Sequence, residues 1–396
     1  MRIKSADAIR GFSLFGILMA NLLIFQFGLS GKEHIEYYQM SPVNYGFYQF
    51  VKVVFEGSFM PIFAILFGFS MDKLFQSMKK KEMKWKRLKL LFRAIGLIIL
   101  GLLHSYFIWE GDILLAYGVA MIIVIPFISL PTWFYRIISY LIIGTLLLLT
   151  TASFFVPSEE SVASGNEEEI KSYMTEMVDS YQNGTYSEIF DLRQDLEDPI
   201  MEEEFKEMDE IGPFVLLVAV FFPALGFMFG IYLSRVNWFQ KDAFKFWSNK
   251  IFIYLIPVCI IIKSSIYWLN DSDLASNLNL TFGLLLAFSF MCLIKYLYQK
   301  YENSLFLTGM KSIGKLSLSM YILQSIFGTL VFYGYGLGLF GKDIFMVSVF
   351  VFIAFYILQM YLAIWYLKHF SYGPLEYLLR IITYLRISKK KWVKSS

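Results

Sequence analysis

The 396 residues are 57% hydrophobic and 19% aromatic, with only 17% charged and a mean hydropathy of +0.56, against roughly 25% charged residues in soluble domains. A soluble enzyme is excluded, because the apolar runs recur too often to leave a water-facing surface. The formal charge of +3 comes with no concentrated basic face for nucleic acid, and Cys259 and Cys292, both inside apolar segments, supply neither a disulfide framework nor metal-ligand spacing.

A bilayer core needs about 20 mostly apolar residues per helix. Ten segments qualify in chain order: about 11–29, 45–71, 90–109, 113–130, 133–156, 212–233, 251–269, 278–298, 314–336 and 343–366. The fold expected is all-α, a polytopic transmembrane helix bundle of about ten spans. The first segment follows Arg2 and Lys4 as a signal peptide would, yet it carries Asp7 and Arg10 and lacks a small-residue cleavage site, so it reads as a retained helix. Basic residues set the orientation. Lys79–Lys81, Lys84, Lys86, Arg87 and Lys89 follow the second segment, Arg235, Lys241, Lys245 and Lys250 the sixth, and Lys300, Lys311 and Lys315 the eighth. With alternating spans all fall on one side, together with Arg2 and the Lys389–Lys391 tail, so both termini are expected in the cytoplasm of a bacterial inner-membrane protein.

The chain then divides into a membrane half at 1–156, an extracytoplasmic loop at 157–211, a second membrane half at 212–366 and a basic tail at 367–396. From Ser158 to Glu210 eighteen acidic residues face three basic ones, a net of −15. Within that loop Ile170, Tyr173, Met174, Met177, Val178 and Tyr181 recur at helical spacing, which predicts an amphipathic helix on the membrane or on the bundle. The tail, from Gly373-Pro374 through Leu385, reads as an interfacial helix over anionic lipid.

Charged side chains inside spans are costly and mark candidate sites. In the first helix Asp7, Arg10, Leu14 and Asn21 share a stripe; Asp7 and Arg10 form an anchoring pair, or Arg10 meets an anionic ligand group, while Asn21 either holds another helix or lines a path. In the second, Lys52 and Glu56 are spaced to satisfy each other. The third helix carries His104 and ends in the short turn Trp109-Glu110-Gly111-Asp112-Ile113, which brings Glu110 and Asp112 within reach of that histidine. It is either a packed core histidine or a general base whose tautomer a carboxylate fixes. Ser317, Tyr321, Gln324 and Gly328 share a stripe in the ninth helix, with Gln359 buried in the tenth; they tie helices together or line a polar cavity with His104.

The stretches Asp7-Ala-Ile-Arg-Gly through Asn21, Phe59-Met-Pro-Ile-Phe through Phe69, Gly101-Leu-Leu-His104, Gly111-Asp-Ile-Leu114, Leu225 to Gly230, Ser317-Leu-Ser-Met-Tyr-Ile-Leu-Gln-Ser325 and Tyr372-Gly-Pro-Leu-Glu-Tyr377 run from one end to the other. On them the chain is identified as a member of the YeiB family of bacterial inner-membrane proteins, grouped as domain of unknown function 418. It departs from the family pattern at Ser58, where a lysine is common, and at Ser319-Met320, where Thr-Asn is frequent. Its opening also resembles membrane acyltransferases of the heparan-alpha-glucosaminide N-acetyltransferase type. That resemblance implies an acyl group passed from cytoplasmic acyl-CoA to an acceptor at the far face, with acyl-CoA as donor substrate and no permanently bound cofactor. No histidine precedes Met60 at the place where the glucosaminide enzyme has its working one.

The expected site therefore has His104 as general base oriented by Asp112, Arg10 paired with Asp7 at the donor end, and Asn21, Glu56 and Gln324 along the path, with no metal. The partners expected are the bilayer and a small-molecule substrate. A transporter using the same path with His104 as proton carrier is the rival reading, for which Gly57-Ser58 and Gly226 are the candidate helix breaks. A structural or regulatory protein that binds a partner through its acidic loop is a third.

Overall fold

A computed structural model of the chain describes residues 3–155, 167–195, 212–240, 250–269 and 272–386. Among the described residues the structure is all-helical. The helices are α1 (Lys4–Phe27), α2 (Pro42–Phe55), α3 (Met60–Lys80), α4 (Lys86–Phe107), α5 (Leu114–Val124), α6 (Thr132–Ala152), α7 (Glu167–Asn183), α8 (Tyr186–Asp195), α9 (Gly212–Arg235), α10 (Phe252–Lys263), α11 (Ser272–Lys300), α12 (Leu305–Lys315), α13 (Ser317–Phe332), α14 (Phe345–His369) and α15 (Pro374–Tyr384). Each predicted segment is helical, but they are not ten equal spans. Six stretches are long and apolar enough to cross a membrane: α1, α2 with α3, α4, α6, α11 and α14. A seventh appears if α12 and α13 count as one span bent by 93°. The segments at α5 and α10, and the stretch Phe221–Arg235 within α9, are shorter apolar helical stretches. This is a membrane protein.

The helix α1 forms the axis of the bundle: 72% of its most apolar stretch is buried, against 17% in α6, whose side chains such as Tyr140, Leu141 and Leu148 point outward. Small residues let backbones meet where apolar surroundings offer no hydrophobic drive between helices. A Cβ on Gly11 would lie 1.9 Å from the Met310 carbonyl oxygen, and one on Gly314 1.9 Å from that of Asp7, which fixes α12 against the start of α1. Gly68 and Gly230 do the same between α3 and α9.

Two helices break inside the bundle. Between α2 and α3 the chain turns at Glu56–Phe59, where Gly57 takes a φ of +69°, and Pro61 restarts the helix in a first turn that needs no donor from it. Between α12 and α13 the bend falls at Leu316, so the ninth predicted segment, 314–336, begins at the bend rather than crossing as one straight helix. The N-terminus of α13 is capped from the tail: Glu376 of α15 accepts from the Leu318 and Ser319 backbone N–H groups at 2.7 and 3.2 Å and from the Ser319 hydroxyl at 2.6 Å. The tail helix is thus docked to the bundle as well as amphipathic. Gly226, by contrast, is no break; it sits within α9, packed on Ala64.

The bundle has two faces. The terminal face carries the start of α1, joined to the 301–304 turn by Lys4 and Glu302 at 2.8 Å, and α15. The loop face carries the α4–α5 hairpin, the α13–α14 loop and helices α7 and α8.

Candidate functional site

The hairpin between α4 and α5 is built around one carboxylate. Asp112 accepts from the Leu115 backbone N–H at 2.8 Å on Oδ2, which caps the start of α5, and meets His104 Nδ1 at 2.8 Å on Oδ1. Gly101 makes the approach feasible, since a Cβ there would lie 2.7 Å from Asp112 Oδ2. Both side chains are shut from solvent, His104 at 0% and Asp112 at 2% exposure. The carboxylate accepts the Nδ1 proton, so the lone pair stands on Nε2. That atom is buried and has no hydrogen-bond partner among the described residues.

Around it lie the Tyr321 ring, 5.2 Å from the imidazole, and Trp109, 6.4 Å away, whose Nε1 is likewise buried and unpartnered. Tyr321 is held by the hairpin itself: its hydroxyl donates to the Gly111 carbonyl and accepts from the Ile113 N–H, each at 3.3 Å. Trp109 packs on Phe25 of α1 with centroids 4.2 Å apart, and Gly328 of α13 also closes on the Phe25 ring. Asn21 and Gln324 each lie one helical turn from that contact. Gln324 donates to Gln359 Oε1 at 2.9 Å, but the oxygens of Asn21 and Gln324 are both buried and unpartnered. Buried polar atoms left unsatisfied are costly unless something binds there, and these four lie on or within one helical turn of the His104–Trp109–Phe25 contact.

The other expected residues lie apart. Asp7 and Arg10 are 3.3 Å apart near the terminal face, and Arg10 also donates to the Gly314 carbonyl and the Ser70 hydroxyl. Glu56 does not pair with Lys52. The helix ends at Phe55, so Glu56 leaves the i,i+4 geometry and meets Lys32 at 2.6 Å, while Lys52 reaches Glu33 at 2.7 Å. Burial alone would raise the Glu33 carboxyl, but Lys32 and Lys52 outweigh it and hold it down at about 2; the same pairing raises Lys32 against its own desolvation. The sequence reading missed Lys263. It is fully buried, and its ammonium donates to the Glu56 carbonyl at 2.7 Å and to Ser58 Oγ at 2.8 Å, bracing the α2–α3 break. The signal was present as a single charge closing the apolar run of α10.

Helices α7 and α8 sit over the hairpin. Met174, Met177 and Tyr181 are buried beneath α7. Tyr181 and Arg193 reach Glu110 at 3.4 Å each, and Tyr186 donates to the Phe107 carbonyl at 2.7 Å. Burial, then the Glu110 charge, drives the Tyr181 phenol well above its usual range. The rest of the acidic loop lies outside the described residues. A pocket of about 250 Å³ opens elsewhere, lined by Gln76, Lys79, Lys86 and Arg235; Arg235 spends its donors on Asp72 and on the Ile128 and Leu130 carbonyls, so its role there is to hold helices together. Among the described residues no group of three or more His, Cys, Asp or Glu could hold a metal ion.

With this geometry in hand, comparison with known proteins finds two family profiles. Residues 233–386 match "Protein of unknown function (DUF418)", and residues 2–165 match "Heparan-alpha-glucosaminide N-acetyltransferase, catalytic". The chain is similar to the DUF418 proteins. Among individual relatives, uncharacterized protein YxaH of Bacillus subtilis is 26% identical over 97% of this chain and 94% of its own length. An uncharacterized 39.9 kDa protein of Bacillus acidopullulyticus is 24% identical over the same shares. YeiB of Escherichia coli is 30% identical over 31% of this chain and 30% of its own. The His104–Asp112 pair, Asp7, Arg10, Asn21 and Glu56 fall within the acyltransferase match, whereas Gln324 falls within the DUF418 match.

Proposed function

We propose that the chain is a multi-pass enzyme of the bacterial cytoplasmic membrane that passes an acyl group from acyl-CoA to a hydroxyl or amine of an acceptor at the loop face. The observation that carries this is a buried imidazole, oriented by a carboxylate and with its Nε2 unpartnered, inside a segment similar to an acyltransferase catalytic domain. In this reading the three shorter apolar helices and the bent α12–α13 pair cross as well, giving ten spans with the terminal face in the cytoplasm. The membrane halves 1–156 and 212–366 then flank an extracytoplasmic 157–211 that caps the site, and 367–396 lies on the cytoplasmic leaflet.

His104 Nε2 takes the proton of the acceptor O–H or N–H as that atom attacks the thioester carbonyl carbon. The C–S bond breaks, and the imidazolium returns the proton to the departing CoA thiolate, so His104 ends as it began. Asp112 holds the Nδ1 proton throughout and stabilises the imidazolium. Arg10 holds an anionic part of the donor. From Arg10 to Asn21 the axis of α1 rises about 16 Å, a span that the donor's thiol arm has to bridge. Glu56 belongs to the acceptor side in this account, since its Lys32 partner lies on the loop at that face. Replacing His104 with Ala in protein shown to be folded is expected to abolish acyl transfer; unchanged transfer removes the proposal.

The broken helices at Gly57 and Leu316 favour a second reading, transport of a small metabolite past Asn21, His104 and Gln324. Proton movement in vesicles that depends on a metabolite and not on acyl-CoA would establish it.

A further inference from the structure

Arg93 is a charged side chain of the bundle that neither the pairings nor the proposed reaction uses. It lies near the start of α4, partly buried, and makes no hydrogen bond or ion pair among the described residues. Its electrostatic neighbours are Tyr384, Arg10, Glu376 and Arg380. The carboxylate among these neighbours is engaged, since Glu376 is spent on the N-terminus of α13 and on Ser319, and Arg10 has its own carboxylate in Asp7 at 3.3 Å. Arg380 lies over the rings of Tyr372 and Tyr384 at 5.1 Å each, which leaves the edges of its guanidinium open. The approach of α15 that creates this corner is built in, because Gly96, one turn along α4 from Arg93, lets Leu379 and Ile382 close on the helix.

The close approach of α15 to α4 thus brings Arg380, like Arg10, within electrostatic reach of Arg93 at the terminal face, with Asp7 and Glu376 already committed. A half-buried guanidinium with five donors and no acceptor is an expensive arrangement unless a planar or tetrahedral oxyanion completes it. We propose that Arg93, flanked by Arg10 and Arg380, binds a phosphate group at the terminal face. The phosphate belongs either to the headgroup of an anionic lipid in that leaflet or to a soluble phosphorylated ligand; the site stands whether the chain transfers acyl groups or transports a metabolite.

The test uses the full chain in nanodiscs and compares wild type with Arg93→Gln and Arg93→Lys, each checked for folding by circular dichroism and size exclusion. In phosphatidylcholine discs, calorimetry measures binding of pyrophosphate and of free CoA. In discs that also contain phosphatidylglycerol, native mass spectrometry measures retained lipid. Losing a charge-assisted contact is expected to weaken binding on the order of tenfold or more, with Arg93→Lys intermediate because it keeps the charge and loses the fork. A loss confined to the soluble probes assigns a soluble phosphorylated ligand, and a loss confined to phosphatidylglycerol assigns a lipid headgroup. Equal binding by wild type and Arg93→Gln in both arms, or no binding by wild type in either, overturns the proposal. Should Arg93→Gln fail to fold, a severalfold loss in Arg93→Lys supports the proposal and wild-type binding in Arg93→Lys overturns it.

Discussion

Replacing Asp112 with Asn isolates what the carboxylate does for His104. The wild-type side chain accepts two N–H groups at 2.8 Å, from Leu115 on one oxygen and from His104 Nδ1 on the other. An amide has only one oxygen. If it keeps the cap on α5, its NH2 group faces Nδ1, which must then carry the lone pair, and the proton moves to Nε2. The ring stays in place while the nitrogen that faces Tyr321 and Trp109 changes from acceptor to donor. The same exchange in a Ser-His-Asp hydrolase costs roughly 10⁴ in kcat, so acyl transfer in Asp112→Asn is expected to fall by roughly 10³–10⁴. The lost charge-assisted bond costs about 1.5–3 kcal/mol of stability, far less than unfolding. With only three histidines in the chain, ¹⁵N NMR of imidazole-labelled protein reads the tautomer directly and needs no knowledge of the acceptor. Nε2 remaining unprotonated in the variant, or transfer within tenfold of wild type, would refute the reasoning.

The packing account predicts that Gly11→Ala, whose Cβ would lie 1.9 Å from the Met310 carbonyl, destabilises the protein by about 1–3 kcal/mol or more. Gly144→Ala, with nothing within 4 Å in exposed α6, is expected to be neutral or to gain about 0.5–1 kcal/mol; thermal unfolding in detergent measures both. Ser58→Lys, which installs the residue common in the family, places a second ammonium beside Lys263 and costs roughly 4 kcal/mol by like-charge repulsion at an intermediate dielectric. Adding Lys263→Met is expected to restore most of that loss, and a double-mutant cycle with no coupling would disprove the bracing role. Glu33 is held below its ordinary range, so it contributes stability above a pH of about 4.5 that is lost as the pH falls toward about 2. The melting difference between wild type and Glu33→Gln should shrink across that window, and it should be small because the side chain is half exposed.

The bundle was legible where composition alone decides, since each apolar run became a helix and the polar hairpin could fold only one way around Gly111. His104 and Asp112 could be paired from spacing because a short turn leaves two facing helix ends no freedom. Helix breaks were harder to read. The 93° bend at Leu316 follows from Gly314 pressed against Asp7, a contact between residues far apart in the chain. The partner of Glu56 was misread because the helix stops one residue before it, at Phe55, and the turn through Gly57's positive φ hands the carboxylate to Lys32. Lys263 reads as the interfacial end of an apolar run until α11 and the α2–α3 break enclose it. The capping of α13 by Glu376 joins residues nearly sixty positions apart in chain order, and no local pattern announces it.

The central claim is that His104 does chemistry on an acyl group. Inside-out membrane vesicles carrying wild-type protein or His104→Ala, at matched levels of folded protein, would be given radiolabelled acetyl-CoA and longer acyl-CoAs on the exposed cytoplasmic side, with free CoA thiol and label inside the vesicles followed together. The account predicts CoA release coupled to label retained in the lumen for wild type, and neither for His104→Ala; equal release and retention in the two, or none in wild type with any donor, would contradict it.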